Sequence, residues 1–141
     1  HQRGLLHRSI HLLVFNDSGE LLMQKRSMKK DESPGKWCSS VAGHLDSGEA
    51  YDDCLIREAK EEIGLELNSV PGKLFKIEAH EETGNEFTWI YQVTASGPFV
   101  FDPCEVTELR WFKLKEVDRL IQEQEDSFSS SFLEVFRRLS R

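Results

Sequence analysis

Three glutamates near the middle of the chain, Glu58, Glu61 and Glu62, stand at positions i, i+3 and i+4. At about 100° per residue, these positions lie on one face of an α-helix. Like charges on one stripe weaken an isolated helix by about 0.2–0.5 kcal/mol per pair. A divalent cation removes this conflict, because Mg²⁺ and Mn²⁺ bind carboxylate oxygens and keep room for water and substrate phosphates. The spacing therefore predicts a site for a hard divalent cation.

The residues around the glutamates predict a loop, a helix and a second loop. Gly43 and Gly48 mark the first loop. Asp52 and Asp53 place acids in the expected first turn, where they stabilise the positive end of the helix dipole. Gly64 stands where a helix would end in a left-handed residue. This segment therefore presents a carboxylate face on a helix with defined ends.

Residues 43–65 resemble the Nudix box, which fixes many positions over 23 residues, so that a chance match is improbable. Ala59 occupies one position that usually holds a larger aliphatic residue. The alternative interpretation is a solvated acidic helix without a ligand. The fixed positions of the box are filled here by Gly43, Glu49, Arg57, Glu58, Glu61, Glu62, Gly64 and Leu65.

The resemblance continues outside the box, over residues 7–9, 19–27, 34–37 and 40–44. It points to the Nudix branch that includes isopentenyl-diphosphate isomerase and its hydrolase-like relatives. The similar region extends from residue 7 to residue 111. It implies an α/β fold of the Nudix type, an α/β/α sandwich around a mixed β-sheet.

The hydrophobic pattern agrees with this fold class. Apolar or alternating runs predict strands, and apolar residues at helical spacing predict two helices after the box helix. Strands interleaved with two or three helices imply layers of helix, sheet and helix. We expect strands at residues 10–15, 21–23, 41–42, 74–79, 87–95 and 109–114, a hairpin turn at 84–85, and helices at 116–124 and 127–139.

Composition predicts one domain spanning residues 1–141, since this length suits a single core. Three widely spaced cysteines, Cys38, Cys54 and Cys104, indicate neither a disulfide framework nor a zinc site, which favours a reducing cytoplasm. The net charge of −7 argues against a nucleic-acid polymer as the partner. No apolar run approaches the ~20 residues that would span a membrane.

The resemblance implies a Mg²⁺-dependent pyrophosphohydrolase that acts on a nucleoside diphosphate derivative or a related small molecule, with Mn²⁺ as a substitute. The metal ligands would be Glu58, Glu61, Glu62 and the backbone carbonyl of Gly43. Arg57, together with Glu49, is assigned to orienting these catalytic groups. A homodimer is left open, because many relatives dimerise.

The general base has several candidates. Glu61 or Glu62 satisfies the chemical requirement, which is a carboxylate within hydrogen-bond reach of the attacking water. In this family the base is sometimes a glutamate from a distant loop. The candidates of that kind are Glu81, Glu82, Glu86 and Glu105.

Substrate contacts are expected from the loops outside the box, at residues 29–36 and 81–86. Lys25, Arg26 and Lys36 are candidates for binding phosphates, although exposed basic residues are commonly only solvated. Trp37 either stacks on a base or ring of the substrate, or anchors the loop in the core. Glu86 is a further candidate for substrate binding.

The first alternative function is isomerisation of isopentenyl diphosphate. That reaction uses a cysteine just before the box glycine and a metal held by histidines and glutamates. His7, His44 and Glu86 stand at positions resembling those ligands, and a structural role for both histidines is favoured. The cysteine position is Ala42, which has no proton to give. The other glutamate position is Gly84, and Cys38 stands four residues too early to replace the cysteine.

The second alternative is a non-catalytic Nudix module that senses a nucleotide. Loss of box carboxylates would indicate such a module, and here Glu58, Glu61 and Glu62 are all kept. The sequence therefore favours the hydrolase over both alternatives.

Overall fold

The computed structural model describes residues 7–30, 33–78 and 86–139, and at residue 86 it describes the backbone only. Within these ranges the chain forms seven β-strands and three α-helices. The elements in chain order are β1 (His7–Phe15), β2 (Leu21–Arg26), β3 (Trp37–Cys38), β4 (Val41–His44), α1 (Tyr51–Ile63), β5 (Gly72–Ile77), β6 (Glu86–Thr94), β7 (Val106–Phe112), α2 (Leu114–Glu123) and α3 (Ser130–Leu139).

The seven strands form one mixed sheet. Its main path has the order β3-β2-β1-β6-β5, while β4 pairs with β1 and β7 pairs with β2. The central pair β1 and β6 is parallel, from His7 opposite Glu86 to Phe15 opposite Thr94. The other strand pairs are antiparallel. The predicted mixed sheet is thus confirmed.

Alternate residues of β1 face opposite helical layers, as the two-residue period of a strand requires. Ile10, Leu12 and Val14 pack with Leu55 and other buried residues of α1. Leu13 points to the other face, where it packs in the cluster that contains Val117 of α2 and residues of α3. All the β1 residues named here are fully buried. One helix on one face and two on the other give the predicted α/β/α sandwich.

Several element boundaries differ from the predictions because partners from elsewhere in the chain extend or end the elements. The strand predicted at 109–114 is Val106–Phe112, because it pairs with β2 from residue 21 to residue 26. The helix predicted at 127–139 begins only at Ser130, where the Ser129 hydroxyl accepts the Phe132 N–H at 3.2 Å as a helix cap. The strand predicted at 74–79 is Gly72–Ile77. The turn predicted at residues 84–85 lies outside the described residues.

In the part of the chain that the structure describes, no helix combines the length and apolar character needed to cross a bilayer.

Helix α1 ends as its sequence predicts. Gly64 has a φ of 67°, in the left-handed region. Its N–H donates to the carbonyl of Lys60 at 3.0 Å, and the N–H of Leu65 donates to Ala59 at 3.1 Å. This pattern satisfies carbonyl groups that have no partner within the helix. The glycine thereby sets the point at which the chain leaves the helix that carries the glutamates.

We predict that Gly64→Ala lowers the free energy of unfolding by about 1–2 kcal/mol, because an L side chain in the left-handed region is strained. In addition, the new Cβ would lie 3.1 Å from the carbonyl oxygen of Val100. Urea denaturation followed by circular dichroism measures the loss. Gly72→Ala is the matched control, since no heavy atom lies within 4 Å of a Cβ built at that glycine. Equal stability of the two variants would contradict the prediction.

Candidate functional site

The site is formed by α1 and the strand that precedes it, β4. Glu58 and Glu62 stand one turn apart on α1, on the side that faces β4 and β2. A Cβ added at Gly43 of β4 would overlap the carboxylate of Glu58. The absence of a side chain at residue 43 is therefore what lets Glu58 lie against the strand. The structure brings Gly43 and Glu58 together, as the resemblance implied.

Two hydrogen bonds hold one carboxylate oxygen of Glu62. The side-chain amide of Gln24, on β2, donates to Glu62 Oε1 at 2.7 Å. The backbone N–H of Ala42, on β4, donates to the same oxygen at 3.2 Å. Because both donors belong to the sheet, they fix Glu62 relative to the strands as well as to its own helix.

The close approach of Glu58 and Glu62 changes their protonation. Desolvation, followed by the charge of Glu58, raises the pKa of Glu62 to about 8. Desolvation likewise raises the pKa of Glu58, although the Arg57 charge opposes this. The two carboxyl groups also share a hydrogen bond. Two carboxylates in one partly buried place cannot both ionise without a cost, so they retain a proton near neutral pH unless a cation replaces it.

Glu61 does not join this pair. It accepts a hydrogen bond from Arg57 Nη1 at 3.0 Å, and its side chain is 59% exposed. Accordingly, the described residues contain no group of three or more His, Cys, Asp or Glu side chains arranged to hold a metal ion. An exposed pair at i, i+4 stabilises by only about 0.3–0.5 kcal/mol, so little free energy keeps Glu61 at Arg57. The structure thus brings together two of the three predicted carboxylates and leaves the third in an exposed ion pair with Arg57.

Arg57 links the loop before the helix to the helix itself. Its Nε and Nη2 donate to the two oxygens of Glu49, each at 2.9 Å. Nη2 also donates to the carbonyl of His44 at 3.4 Å, and Nη1 lies 3.6 Å from Glu58 Oε2. The Arg57 hydrogen bond lowers the pKa of Glu49 to about 2. Such a bidentate pair fixes the relative orientation of the two side chains as well as neutralising their charges. This agrees with the orienting role expected of Arg57 and Glu49.

The donor set fits a hard divalent cation. Carboxylate oxygens of Glu58 and Glu62, with the nearby backbone of Gly43, are oxygen ligands of the kind that Mg²⁺ and Mn²⁺ prefer. Gly43 leaves a space that any larger residue would fill. A cation here would favour the ionised form of both carboxyl groups, whose pKa values are raised chiefly by desolvation. The donor chemistry of these residues therefore fits a divalent cation, and the metal site stays a prediction.

The expected phosphate-binding residues lie along β2 and the loop after it. Arg26 follows Gln24 by two positions, so the two side chains leave β2 on the same face. The side chain of Arg26 hydrogen-bonds the thiol of Cys38, whose pKa burial raises to about 12. The backbone N–H of Arg26 donates to the carbonyl of Lys36 at 2.8 Å, which ties the loop to the strand.

Trp37 packs against the other face of the sheet. Its ring meets Phe112 edge-on at 5.2 Å and adjoins the core formed with α2 and α3. Lys25 and Arg110 lie over the ring at 5.8 and 5.3 Å from its centroid. The structure therefore shows the anchoring role that the sequence left open, and it does not bring Trp37 to the α1 carboxylates.

Three of the remaining sequence candidates lie among the described residues, and the others do not. Glu105 pairs with Lys30 at 2.7 Å in an exposed position. The rings of His7 and His44 make an edge contact at 6.3 Å. Outside the described residues lie Glu81, Glu82, Gly84 and the side chain of Glu86.

Sequence reasoning missed Gln24 and the backbone of Ala42 as partners of Glu62. A weak signal for Gln24 existed, since it is a polar residue directly after three apolar residues of a predicted strand. The signal did not identify its partner, because strand periodicity says nothing about which helix lies over the strand.

A family comparison matches nearly the whole chain. The family profile described as NUDIX domain matches residues 5–135. The curated isopentenyl-diphosphate Delta-isomerase 2 of Photorhabdus laumondii is 31% identical, over 99% of this chain and 81% of that protein. The isopentenyl-diphosphate Delta-isomerase of Paenarthrobacter aurescens is 33% identical, over 75% of this chain and 60% of that protein. The match thus spans less than two thirds of the second relative's length.

Solved structures share the fold. DR0079 from Deinococcus radiodurans superimposes with a TM-score of 0.88 at 24% identity, over 99% of this chain and 88% of that one. The NUDIX domain of Shewanella oneidensis NrtR, complexed with ADP ribose, gives a TM-score of 0.72 at 15% identity, over 96% of this chain and 87% of that one. At these identities the likeness establishes the architecture alone.

We predict a specific pH dependence for Glu62→Gln in protein freed of metal by EDTA. The folded pKa of Glu62 is raised, so the parent has its full stability below pH 4.5 and loses some as the pH rises towards about 8. Glutamine still accepts both hydrogen bonds but has no proton to lose. The variant should therefore gain stability relative to the parent between pH 5 and pH 9, by roughly a few kcal/mol, since one pKa unit is worth about 1.4 kcal/mol.

Urea denaturation at several pH values measures this difference. Glu66→Gln is the control, because Glu66 is exposed and its ion pair with Lys60 is long, at 3.7 Å. A constant difference between Glu62→Gln and the parent over this pH range would show that Glu62 titrates normally.

Proposed function

Because the chain belongs to the Nudix family, in the branch that resembles isopentenyl-diphosphate isomerases, we propose that it is a Mg²⁺-dependent hydrolase of a diphosphate linkage. The substrate class proposed is a nucleoside diphosphate derivative or a related small molecule. Family membership by itself supports an enzyme that acts on a diphosphate with a divalent metal, without specifying the reaction. The observation that supports the hydrolase proposal is the Glu58–Glu62 carboxyl pair, which is held against β4 at Gly43.

In this proposal the carboxylates of Glu58 and Glu62 hold the cation, with the carbonyl of Gly43 as a further ligand. Glu61 can join them after leaving the exposed ion pair with Arg57. Once bound, the cation would neutralise the diphosphate and lower the pKa of a water that attacks phosphorus. Arg57 donates to both carboxylate oxygens of Glu49 and thereby holds the loop before α1 against the helix.

Glu61 is the better placed of the two box candidates for general base. Glu62 has one oxygen fixed by Gln24 and Ala42 and lies partly buried. The carboxylate of Glu61 is exposed and held by an ion pair that solvent weakens. A base must be able to reach the proton of the attacking water, which favours the more mobile carboxylate. Arg26 and Lys36, on the loop side of β2, would contact the phosphates.

We further propose that residues 1–141 form a single Nudix hydrolase domain that works in the cytoplasm on a small-molecule diphosphate. A homodimer stays an open expectation. ADP ribose, which the Nudix domain of NrtR binds, is one compound of the proposed substrate class. It belongs in a panel with other nucleotide sugars, dinucleoside polyphosphates, oxidised nucleotides and non-nucleotide diphosphates.

Isomerisation of isopentenyl diphosphate is the second candidate function, because the curated relatives carry that name. Residue chemistry favours the hydrolase over it. Ala42 offers a methyl group at the position of the isomerase cysteine, and a methyl group neither gives nor takes a proton. Cys38 is buried and its raised pKa keeps the thiol neutral near pH 7. A module that only senses a nucleotide would be expected to have lost box carboxylates, and this chain keeps all three.

We predict Mg²⁺-dependent release of a monophosphate product from at least one compound of the panel. Glu61→Gln should lower kcat by about 10²–10⁴, the usual range for losing a general base. Glu62→Gln should also lower turnover strongly, because a ligand of the cation is lost. Neither variant should change the fold. Glu66→Gln is the matched control, as an exposed glutamate beyond the end of α1. Turnover is followed by phosphate or nucleotide release, and the fold by circular dichroism. If both site variants hydrolyse as fast as the parent, the assignment of these carboxylates is wrong.

We expect no conversion of isopentenyl diphosphate to dimethylallyl diphosphate by the parent protein, because Ala42 cannot act as an acid or base. Chromatography of the products after incubation with Mg²⁺ and Mn²⁺ tests this. Clear formation of the dimethylallyl product would move the assignment from hydrolase to isomerase.

A further inference from the structure

Gln24 is an uncharged polar side chain buried within an otherwise apolar part of β2. It is 3% exposed, beside Leu22 and Met23, which are buried completely or nearly so. An amide buried without hydrogen-bond partners costs about 1–3 kcal/mol in proteins. Its partners therefore indicate what the residue contributes at this place.

Both partners of the Gln24 amide nitrogen are acceptors. Nε2 lies 3.1 Å from the carbonyl oxygen of Ser40 and 2.7 Å from Glu62 Oε1. A side-chain amide has two N–H groups on that nitrogen, so each acceptor receives one of them. This arrangement fixes the nitrogen side of the amide between β4 and α1.

Ser40, the first partner, is itself held by the sheet. Its hydroxyl accepts the N–H of Val14 at 2.9 Å and donates to the carbonyl of Leu22. The hydroxyl thus joins β1 to β2, and the carbonyl of the same residue receives Gln24. A series of buried hydrogen bonds therefore runs from the central strands to Gln24, and a part-buried one continues it to Glu62.

The second donor to Glu62 reaches the same oxygen from a different strand. The N–H of Ala42 lies 3.2 Å from Oε1, on the residue before Gly43. With Oε1 occupied by two donors, the rest of the carboxyl group faces Glu58, with which it shares a hydrogen bond. The donors therefore decide which part of Glu62 is left for a ligand.

We infer that Gln24 is a positioning residue for the metal site, which holds Glu62 in the orientation needed to bind a cation together with Glu58. The inference rests on the metal site of the proposed function, and it assigns to Gln24 a role that none of the box residues supplies. A residue that only supported the fold would stabilise the packing of α1 on the sheet without affecting how the cation binds. Partners that orient a ligand typically change metal affinity or activity 10–100-fold when they are removed.

The experiment measures the dissociation constant of Mn²⁺ alone by electron paramagnetic resonance, together with thermal unfolding. Gln24→Met keeps the side-chain length and removes both donors. We expect its dissociation constant for Mn²⁺ to rise about tenfold or more. If a substrate has been found, the metal concentration that gives half-maximal rate should rise in Gln24→Met. The kcat at saturating metal should change less, because the variant affects metal binding.

Thr88→Val is the matched control. Thr88 is 5% exposed and its hydroxyl bonds to Ser9 at 2.8 Å, between β6 and β1. The variant loses a buried hydrogen bond in the sheet with no contact to Glu62. It should lose stability and keep the Mn²⁺ affinity of the parent.

Gln24→Asn provides a second test if Gln24→Met fails to fold. It keeps a polar amide in the buried position but is one methylene shorter, so it cannot bridge Ser40 and Glu62 together. It should weaken Mn²⁺ binding in the same direction. Unchanged Mn²⁺ affinity in the Gln24 variant that folds, or an equal loss in Thr88→Val, would overturn the inference.

The Mn²⁺ readout separates this inference from the proposed function. If no compound of the panel is hydrolysed but Mn²⁺ binding still depends on Gln24, the proposed function fails and the positioning role stands. If hydrolysis depends on Glu61 and Glu62 while Gln24→Met binds Mn²⁺ as the parent does, only the positioning role fails.

Discussion

Two acidic side chains one helical turn apart, Glu58 and Glu62, are packed so closely against the sheet that they share a hydrogen bond and have raised pKa values. A fold that served stability alone would place apolar residues there, because desolvated like charges oppose folding. The rest of the site can be understood as the structure that keeps this pair together. Gly43 supplies the space for Glu58, and donors from two strands hold Glu62.

The ionic contacts around the pair have unequal strength. Arg57 grips Glu49 through two hydrogen bonds of 2.9 Å in a partly buried position. The same guanidinium holds Glu61 by a single bond to an exposed carboxylate. The first contact is rigid and fixes the loop, whereas the second stabilises little and can be exchanged. Arg57 can therefore hold the loop through Glu49 while its weaker contact with Glu61 is exchanged for another partner of that carboxylate.

The sheet separates this site from the ring of Trp37. Leu22 of β2 and Ile10, Leu12 and Val14 of β1 face α1, and so does Gln24 through its bond to Glu62. Trp37 packs with the layer of α2 and α3 instead. Cys38 pairs with Gln24 across β3 and β2 and hydrogen-bonds Arg26, and burial raises the pKa of its thiol to about 12, which agrees with a neutral structural thiol.

The sequence by itself determined the features that follow from local rules. The spacing of the three glutamates put them on one helix, Gly64 ended that helix in a left-handed residue, and the apolar run at residues 10–15 predicted a strand. Each of these depends on neighbours within a few residues along the chain. The match of the box then extended the prediction to the α/β/α sandwich and to the proximity of Gly43 and Glu58.

Only the tertiary structure decided which side chains meet across elements. It separated Glu61 from the other two glutamates, since Arg57 attracts it on the exposed side of α1. It also placed Gln24 under Glu62, although 38 positions separate them in the chain. Periodicity fixes which residues share a face of one helix or strand, but the register between elements depends on how the whole core packs. The partners of Glu62 could be read only once β2, β4 and α1 were in place.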